Sequence, residues 1–169
     1  AILWRNFCIK SILEFEQLLQ EIWGDLLDYT YRSTPRSTVQ GKIHTSTEYP
    51  AHQTIPLHNE MSYSCSWPLK IAFFCQKAAT ERGETPIADS RNLLKLLSPQ
   101  IVNQFEEKKL LYVRNYGAGL DLTWQNVFQT EEKSLVEAYC RQQGIDWEWK
   151  EGDRLKTWQV CQATAVHPQ

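Results

Sequence analysis

The chain has 169 residues, of which 42% are hydrophobic and 22% charged, and 18 Lys and Arg against 20 Asp and Glu give a formal net charge of −2. That length suits one domain with a real core; the absence of a basic run argues against nucleic-acid binding, and no apolar stretch approaches a membrane span. The five cysteines (Cys8, Cys65, Cys75, Cys140 and Cys161) are odd in number and form no C-x-x-C pair. This pattern speaks against a disulfide framework or zinc ribbon and for small hydrophobes in a reducing cytoplasm. The start, "AILWRNF", has neither a methionine nor a charged leader, as expected of a piece of something longer.

Residues 2–8 read as a short strand. In the next segment Phe15, Leu18, Leu19 and Ile22 fall at i, i+3, i+4 and i+7, one helical stripe, with Ser11 as its cap and Gly24 as its stop. A polar loop follows over 30–41, in which Pro35 fixes one φ angle. Extended segments are expected at 42–47, 52–60 and 69–79, the last continuous enough to be a buried strand. Residues 81–86 form a turn around Gly83. Helices are expected at about 90–107, broken near Ser98-Pro99, and at about 131–142, capped by Thr130 and stopped by Gly144. Residues 109–116 and two segments between 147 and 166 read as strands. Strands that do not alternate regularly with helices favour a mainly β, antiparallel core with flanking helices.

The segment "IPLHNEMSYSCSWPLK" (55–70) sets His58 two places before Glu60. On an extended chain that spacing puts both side chains on one face, about 6.5–7 Å apart at the backbone, so imidazole and carboxylate can reach one cation. A helix would splay them apart; Ile55 and Pro56 favour extension. Two histidines and a carboxylate on one face form the triad of non-haem iron(II) oxygenases. The tripeptide alone more often marks a hydrogen-bonded surface histidine beside a solvated glutamate.

The wider run, "TSTEYP", "IPLHNE", "WPLKIAFFC" and "GETPIADSR", with "YVRNY", "WQNVFQT" and "RLKTWQV" further on, resembles the taurine dioxygenase-like (TauD/TfdA) family of iron(II)- and 2-oxoglutarate-dependent oxygenases, and most of all its SyrP-like branch. The resemblance implies a double-stranded β-helix, a jelly roll of the clavaminate synthase-like kind, with residues 1–169 as one domain that is the N-terminal part of the catalytic domain. It implies that His58 and Glu60 bind Fe(II), and that the Thr85 hydroxyl meets the co-substrate 2-oxoglutarate, with O2 as the oxidant. Glu60 stands where many members have Asp, and a carboxylate there, rather than a small residue, implies hydroxylation or a related oxidation and not halogenation. The usual "GGET" reads "RGET", with Arg82 replacing a glycine. Without the family, Thr85 is a turn threonine before Pro86.

The family needs a second metal histidine and an arginine clamping 2-oxoglutarate, both downstream of the first motif. By the resemblance His167 lies before that histidine, and His44 and His52 read as loop or satisfied histidines. Arg32, Arg36, Arg91, Arg114 and Arg154 read as surface or structural partners rather than the clamp. The second histidine is therefore expected beyond this chain, and the chain alone is expected to be inactive with an incomplete barrel. Met61, Ser62 and Tyr63, next to the metal face, are candidates for substrate contact, or equally ordinary strand residues. The branch implies a small-molecule or carrier-tethered amino acid substrate in secondary metabolism. The competing readings are a barrel module without chemistry and, last, a zinc hydrolase, for which the sequence offers no HExxH helix. Trp67, Trp124, Trp147 and Trp149 read as core or rim packing.

Overall fold

The computed structural model describes residues 1–31, 33–34, 36–47, 50, 52–117, 119 and 122–163; Arg32, Pro35 and His167 lie outside them. The chain divides into two compact units, Ala1–Gln53 and Thr54–Gln169.

In the first unit, helix α1 (Ile12–Trp23) buries Phe15 and Leu19 of the expected stripe, while Ile22 stays exposed. The Ser11 hydroxyl accepts from the Glu14 amide at 3.2 Å, and Glu14 reaches back to the Lys10 amide at 2.7 Å, so the first turn is capped from both sides. Strands β1 (Thr38–Gln40) and β2 (Ile43–His44) pair antiparallel. The strand expected at 2–8 is not formed, since that segment pairs with no ladder.

The second unit is built on a three-stranded antiparallel sheet of β3 (Leu110–Tyr116), β4 (Asp146–Lys150) and β5 (Arg154–Cys161), in the order β3-β5-β4. The central strand β5 alternates strictly: Leu155, Thr157, Gln159 and Cys161 are buried on one face. In register with them, Leu110, Tyr112, Arg114 and Tyr116 of β3 lie on that same face. Its packing partners are α4 (Trp124–Phe128) and α5 (Lys133–Gln143), through Val127, Phe128, Val136 and Cys140. Phe128 meets Tyr116 and Tyr139 with ring centroids 5.8 and 5.6 Å apart, and Trp124 meets Trp149 edge-on at 5.2 Å.

Two of the four buried β5 side chains are polar, and each makes a hydrogen bond, although Gln159 Oε1 is buried without a partner among the described residues. Thr157 and the Tyr116 hydroxyl lie 3.1 Å apart. Gln159 donates its amide to the Gln143 carbonyl at 2.7 Å, which satisfies one of the open carbonyls at the end of α5. Gly144 then takes φ 65°, ψ 38°, and the Ile145 amide closes the helix on the Cys140 carbonyl at 2.9 Å. The helix begins at Lys133 rather than just after Thr130, because the Thr130 hydroxyl accepts from the Glu132 amide in a local turn.

Between the motif segment and this sheet, α2 (Ser90–Leu96) and α3 (Pro99–Lys108) reproduce the break expected at Ser98-Pro99. Neither buries a residue; Leu96, Ile101 and Phe105 are exposed. The extended segments expected at 52–60 and 69–79 form no ladder, and Leu69, Ile71 and Phe73 are exposed rather than core. A strand needs a paired backbone as well as the right residue pattern, and only the pattern is present there. The observed architecture is therefore helices with small antiparallel sheets.

The two faces of β5 predict opposite mutational costs. Leu155→Ala, in the packed face, should lower unfolding free energy by about 2–5 kcal/mol, whereas Val160→Ala, on the exposed face, should stay within about 0.5 kcal/mol. Denaturant melts of the two variants measure this. Thiol accessibility gives a second check. Burial pushes the Cys140 thiol up to about 11. A raised thiol pKa favours the folded state below the unfolded value and loses that contribution as pH rises toward 11. Iodoacetamide at pH 8 should alkylate Cys8, Cys65 and Cys75 in the native protein and reach Cys140 only after unfolding.

Candidate metal centre

Residues 54–59 are irregular and non-helical, and the chain turns immediately afterwards, with Met61 at φ 52° and the Ser64 amide bonded to the Met61 carbonyl at 3.0 Å. In this backbone His58 and Glu60 converge: Nε2 and Oε2 lie 3.8 Å apart. The imidazole is half exposed and the carboxylate about one quarter exposed. The expectation that the two side chains meet on one side holds, although the segment that brings them together is not a paired strand.

The other ring nitrogen settles the tautomer. His58 Nδ1 lies 2.8 Å from the Pro56 carbonyl oxygen. A carbonyl can only accept, so Nδ1 carries the proton and, in neutral imidazole, Nε2 presents a lone pair. That lone pair faces a carboxylate oxygen. Two acceptors so placed repel unless a proton or a cation lies between them. A first-row metal held at about 2.0–2.2 Å by each donor would draw them about 1 Å closer than they stand. Histidine ligands to metals commonly donate their second N–H to a backbone carbonyl, as His58 does. The donor set thus fits a divalent cation. Among the described residues no cluster of three His, Cys, Asp or Glu is present, so His58 and Glu60 form a pair of donors and not a complete triad.

Two polar residues not singled out by sequence hold the tripeptide. Asn59, between His58 and Glu60, points its side chain to Ser90: the Ser90 hydroxyl donates to Asn59 Oδ1 at 2.8 Å. Ser90 opens α2, whose cap Asp89 accepts from the Arg91 amide at 3.0 Å and pairs with its guanidinium at 2.7 Å. The Arg91 hydrogen bonds hold the Asp89 carboxyl down at about 2. The signal in the sequence was faint: alternation alone sends Asn59 away from His58 and Glu60, and nothing short of coordinates names its partner.

Thr85 is exposed in the irregular segment leading to α2, so the Ser90 to Asn59 bond ties its stretch of chain to the motif. Arg82, which replaces a glycine of the resembled loop, takes φ 61°, the left-handed region where glycine is at ease, and Gly83 follows at φ 94°. Of the substrate candidates, Met61 and Tyr63 are partly buried and Ser62 is exposed, all within a turn rather than a strand. The Tyr63 ring lies 5.3 Å under the Arg114 guanidinium. Arg36 bonds Thr47 and covers Tyr29, Arg91 pairs with Asp89, and Arg154 bonds the Glu151 carbonyl, so these arginines have structural partners, as expected. His44 lies in β2 beside Thr38 and Tyr29, and His52 beside Gln53.

The chain belongs to the taurine catabolism dioxygenase TauD, TfdA family, whose family model matches residues 1–169. Among curated proteins it is 43% identical over 168 residues to the dapdiamide synthesis protein DdaC of Enterobacter agglomerans, covering 99% of this chain and 51% of DdaC. It is 33% identical over 166 residues to a clavaminate synthase-like protein of Arabidopsis thaliana, covering 93% of this chain and 50% of that protein. The chain thus spans about half the length of the curated relatives it matches. Among the described residues no helix is long and apolar enough to cross a membrane.

If Ser90 steadies the motif through Asn59, Ser90→Ala should speed amide hydrogen exchange at residues 58–61 while changing global stability by no more than about 1 kcal/mol. Unaltered exchange there would show that the bond holds nothing.

Proposed function

We propose that this chain is the N-terminal part of the catalytic domain of an Fe(II)- and 2-oxoglutarate-dependent dioxygenase, in which His58 and Glu60 are two of the three protein ligands to iron. The observation that carries the reading is the convergence of His58 Nε2 and Glu60 Oε2 to 3.8 Å with Nδ1 engaged on the Pro56 carbonyl. Family membership along the whole chain supports the same chemistry. On this reading the second histidine and the arginine that clamps 2-oxoglutarate come from a further part of the protein, and the whole closes as a jelly roll.

Iron(II), 2-oxoglutarate and O2 together supply the oxidation of an unactivated C–H bond, coupled to decarboxylation of the co-substrate to succinate. The chain's own residues do the holding. His58 keeps its proton at Nδ1 and offers Nε2; the Glu60 carboxylate lowers the net charge of the centre. The Thr85 hydroxyl donates to a carboxylate of 2-oxoglutarate. Met61, Ser62 and Tyr63 follow the ligands directly and border the substrate. The carboxylate at position 60 favours hydroxylation or a related oxidation over halogenation. The name of DdaC links that relative to dapdiamide synthesis. We take the substrate here to be a small molecule or carrier-tethered amino acid of secondary metabolism, handled in the cytoplasm.

The test is anaerobic addition of iron(II) and 2-oxoglutarate to the natural protein that contains this sequence, read as a visible charge-transfer band. His58→Ala and Glu60→Ala should each abolish the band and weaken iron(II) binding by more than the roughly 10–100-fold that loss of a supporting contact costs. A band of unchanged intensity in both variants would falsify the assignment.

A further inference from the structure

A thiol pair, outside the metal ligands and independent of the oxygenase reading, closes the far side of the turn that follows Glu60. Cys161 is the last residue of β5 and is buried; Cys65 is exposed at the end of the Met61–Ser64 turn. Their sulfurs lie 3.4 Å apart although the residues are 96 positions apart in sequence. The approach is not confined to the sulfurs. Cys65 Sγ also reaches the Val160 carbonyl at 3.6 Å, and Cys161 Sγ reaches the Tyr63 carbonyl at 3.9 Å. Ser64, next to Cys65, is also buried.

We propose that Cys65 and Cys161 form a reversible disulfide site, oxidised by low-molecular-weight disulfides such as oxidised glutathione, that locks the turn after Glu60 to the central strand of the sheet. A bond length of about 2.05 Å requires the sulfurs to close by about 1.4 Å. The exposed end of a residue in a turn can supply that by side-chain rotation. The order of events follows from access. Cys65, facing solvent, attacks the external disulfide as the thiolate and forms a mixed disulfide, releasing one thiolate of the reagent. Cys161 then displaces the second half of the reagent, its proton leaving with the departing sulfur as thiol. Two protein thiols are oxidised by two electrons, and one disulfide is reduced to two thiols. Burial and the adjacent Cys65 push the Cys161 thiol up to about 12, which makes it a poor first nucleophile; its attack relies on being held 3.4 Å from Cys65 Sγ.

In a reducing compartment such a bond is transient and redox-responsive rather than structural. Its effect falls on one piece of chain. Tyr63 is already stacked under Arg114, and Ser64 is buried. The covalent link removes the remaining freedom of the stretch that begins directly after Glu60.

The experiment uses the natural protein, reduced, freed of reductant and incubated with oxidised glutathione, then analysed by intact mass and peptide mapping. The expected product has lost two hydrogens, joins the Cys65 and Cys161 peptides, and reverts with dithiothreitol. Closing so long a loop should also raise the melting temperature of the oxidised form by roughly 5 °C. Cys65→Ser changes an exposed residue; it should fold, lose the internal disulfide and leave Cys161 unmodified. Cys8 and Cys75, both exposed, report reagent access in the same sample. The proposal is overturned if Cys65 stops at a stable glutathione adduct while Cys161 remains a free thiol. It is equally overturned if Cys65 pairs with Cys8 or Cys75, or if the linked protein melts no higher than the reduced one.

Discussion

The hydrogen bond between His58 Nδ1 and the Pro56 carbonyl decides what the rest of the site can be. Proline has no N–H and holds φ near −65°, so its own carbonyl is presented along an extended stretch to the residue two places on. Once that carbonyl accepts the Nδ1–H, the neutral imidazole has one orientation and one lone pair to offer. Glu60 completes a pair of acceptors whose mutual repulsion only a positive charge relieves. The pair therefore suits a proton or a divalent cation between its two acceptors, and family membership makes iron(II) the cation to test.

The pair is held by its neighbours and has little stiffness of its own. On one side the side chain of Asn59 is fastened to Ser90 at the start of α2, itself stiffened by the Asp89 and Arg91 pair. On the other, the turn after Glu60 is anchored to the sheet by Tyr63 under Arg114 and by Cys65 against Val160 and Cys161 at the end of β5. The sheet that receives this anchor is the best-packed part of the chain, with Tyr116, Leu155, Val127, Val136 and Cys140 at most 1% exposed. Stability made far along the sequence, at α4, α5 and β5, is thus transmitted to two side chains near position 60 through one turn. A half-exposed imidazole such as that of His58 costs little to desolvate. Its precision comes from the backbone beneath it.

The sequence was most legible where local chemistry decides the outcome. The cap at Ser11, the break before Pro99, the left-handed stop at Gly144 and the alternation of "RLKTWQVC" each depend on residues within a few positions of one another. The short helix α4 escaped notice because five residues carry less than two turns of periodicity. That the His58 and Glu60 side chains meet follows from their two-residue spacing, whereas a role for Thr85 was expected from the resemblance alone. Asn59, Ser90 and the thiol pair were not legible, because their partners stand 31 and 96 positions away and no local pattern encodes a contact at that distance.

The segments read as strands at 52–60 and 69–79 show the other limit, and the reason is physical. Between Ile71 and Cys75 exposure still alternates, with Ala72 and Phe74 half-buried between exposed neighbours, so the period of a strand is present. The hydrogen-bonded ladder is not, and a ladder belongs to two backbones at once. Leu69, Ile71 and Phe73 are 70, 48 and 68% exposed, a row of side chains shaped for a sheet interior. The relatives carry about as much chain again outside the region they share with this one. A residue pattern can specify that a segment is half of a pair. It cannot supply the other half, and among the described residues no ladder pairs 52–60 or 69–79.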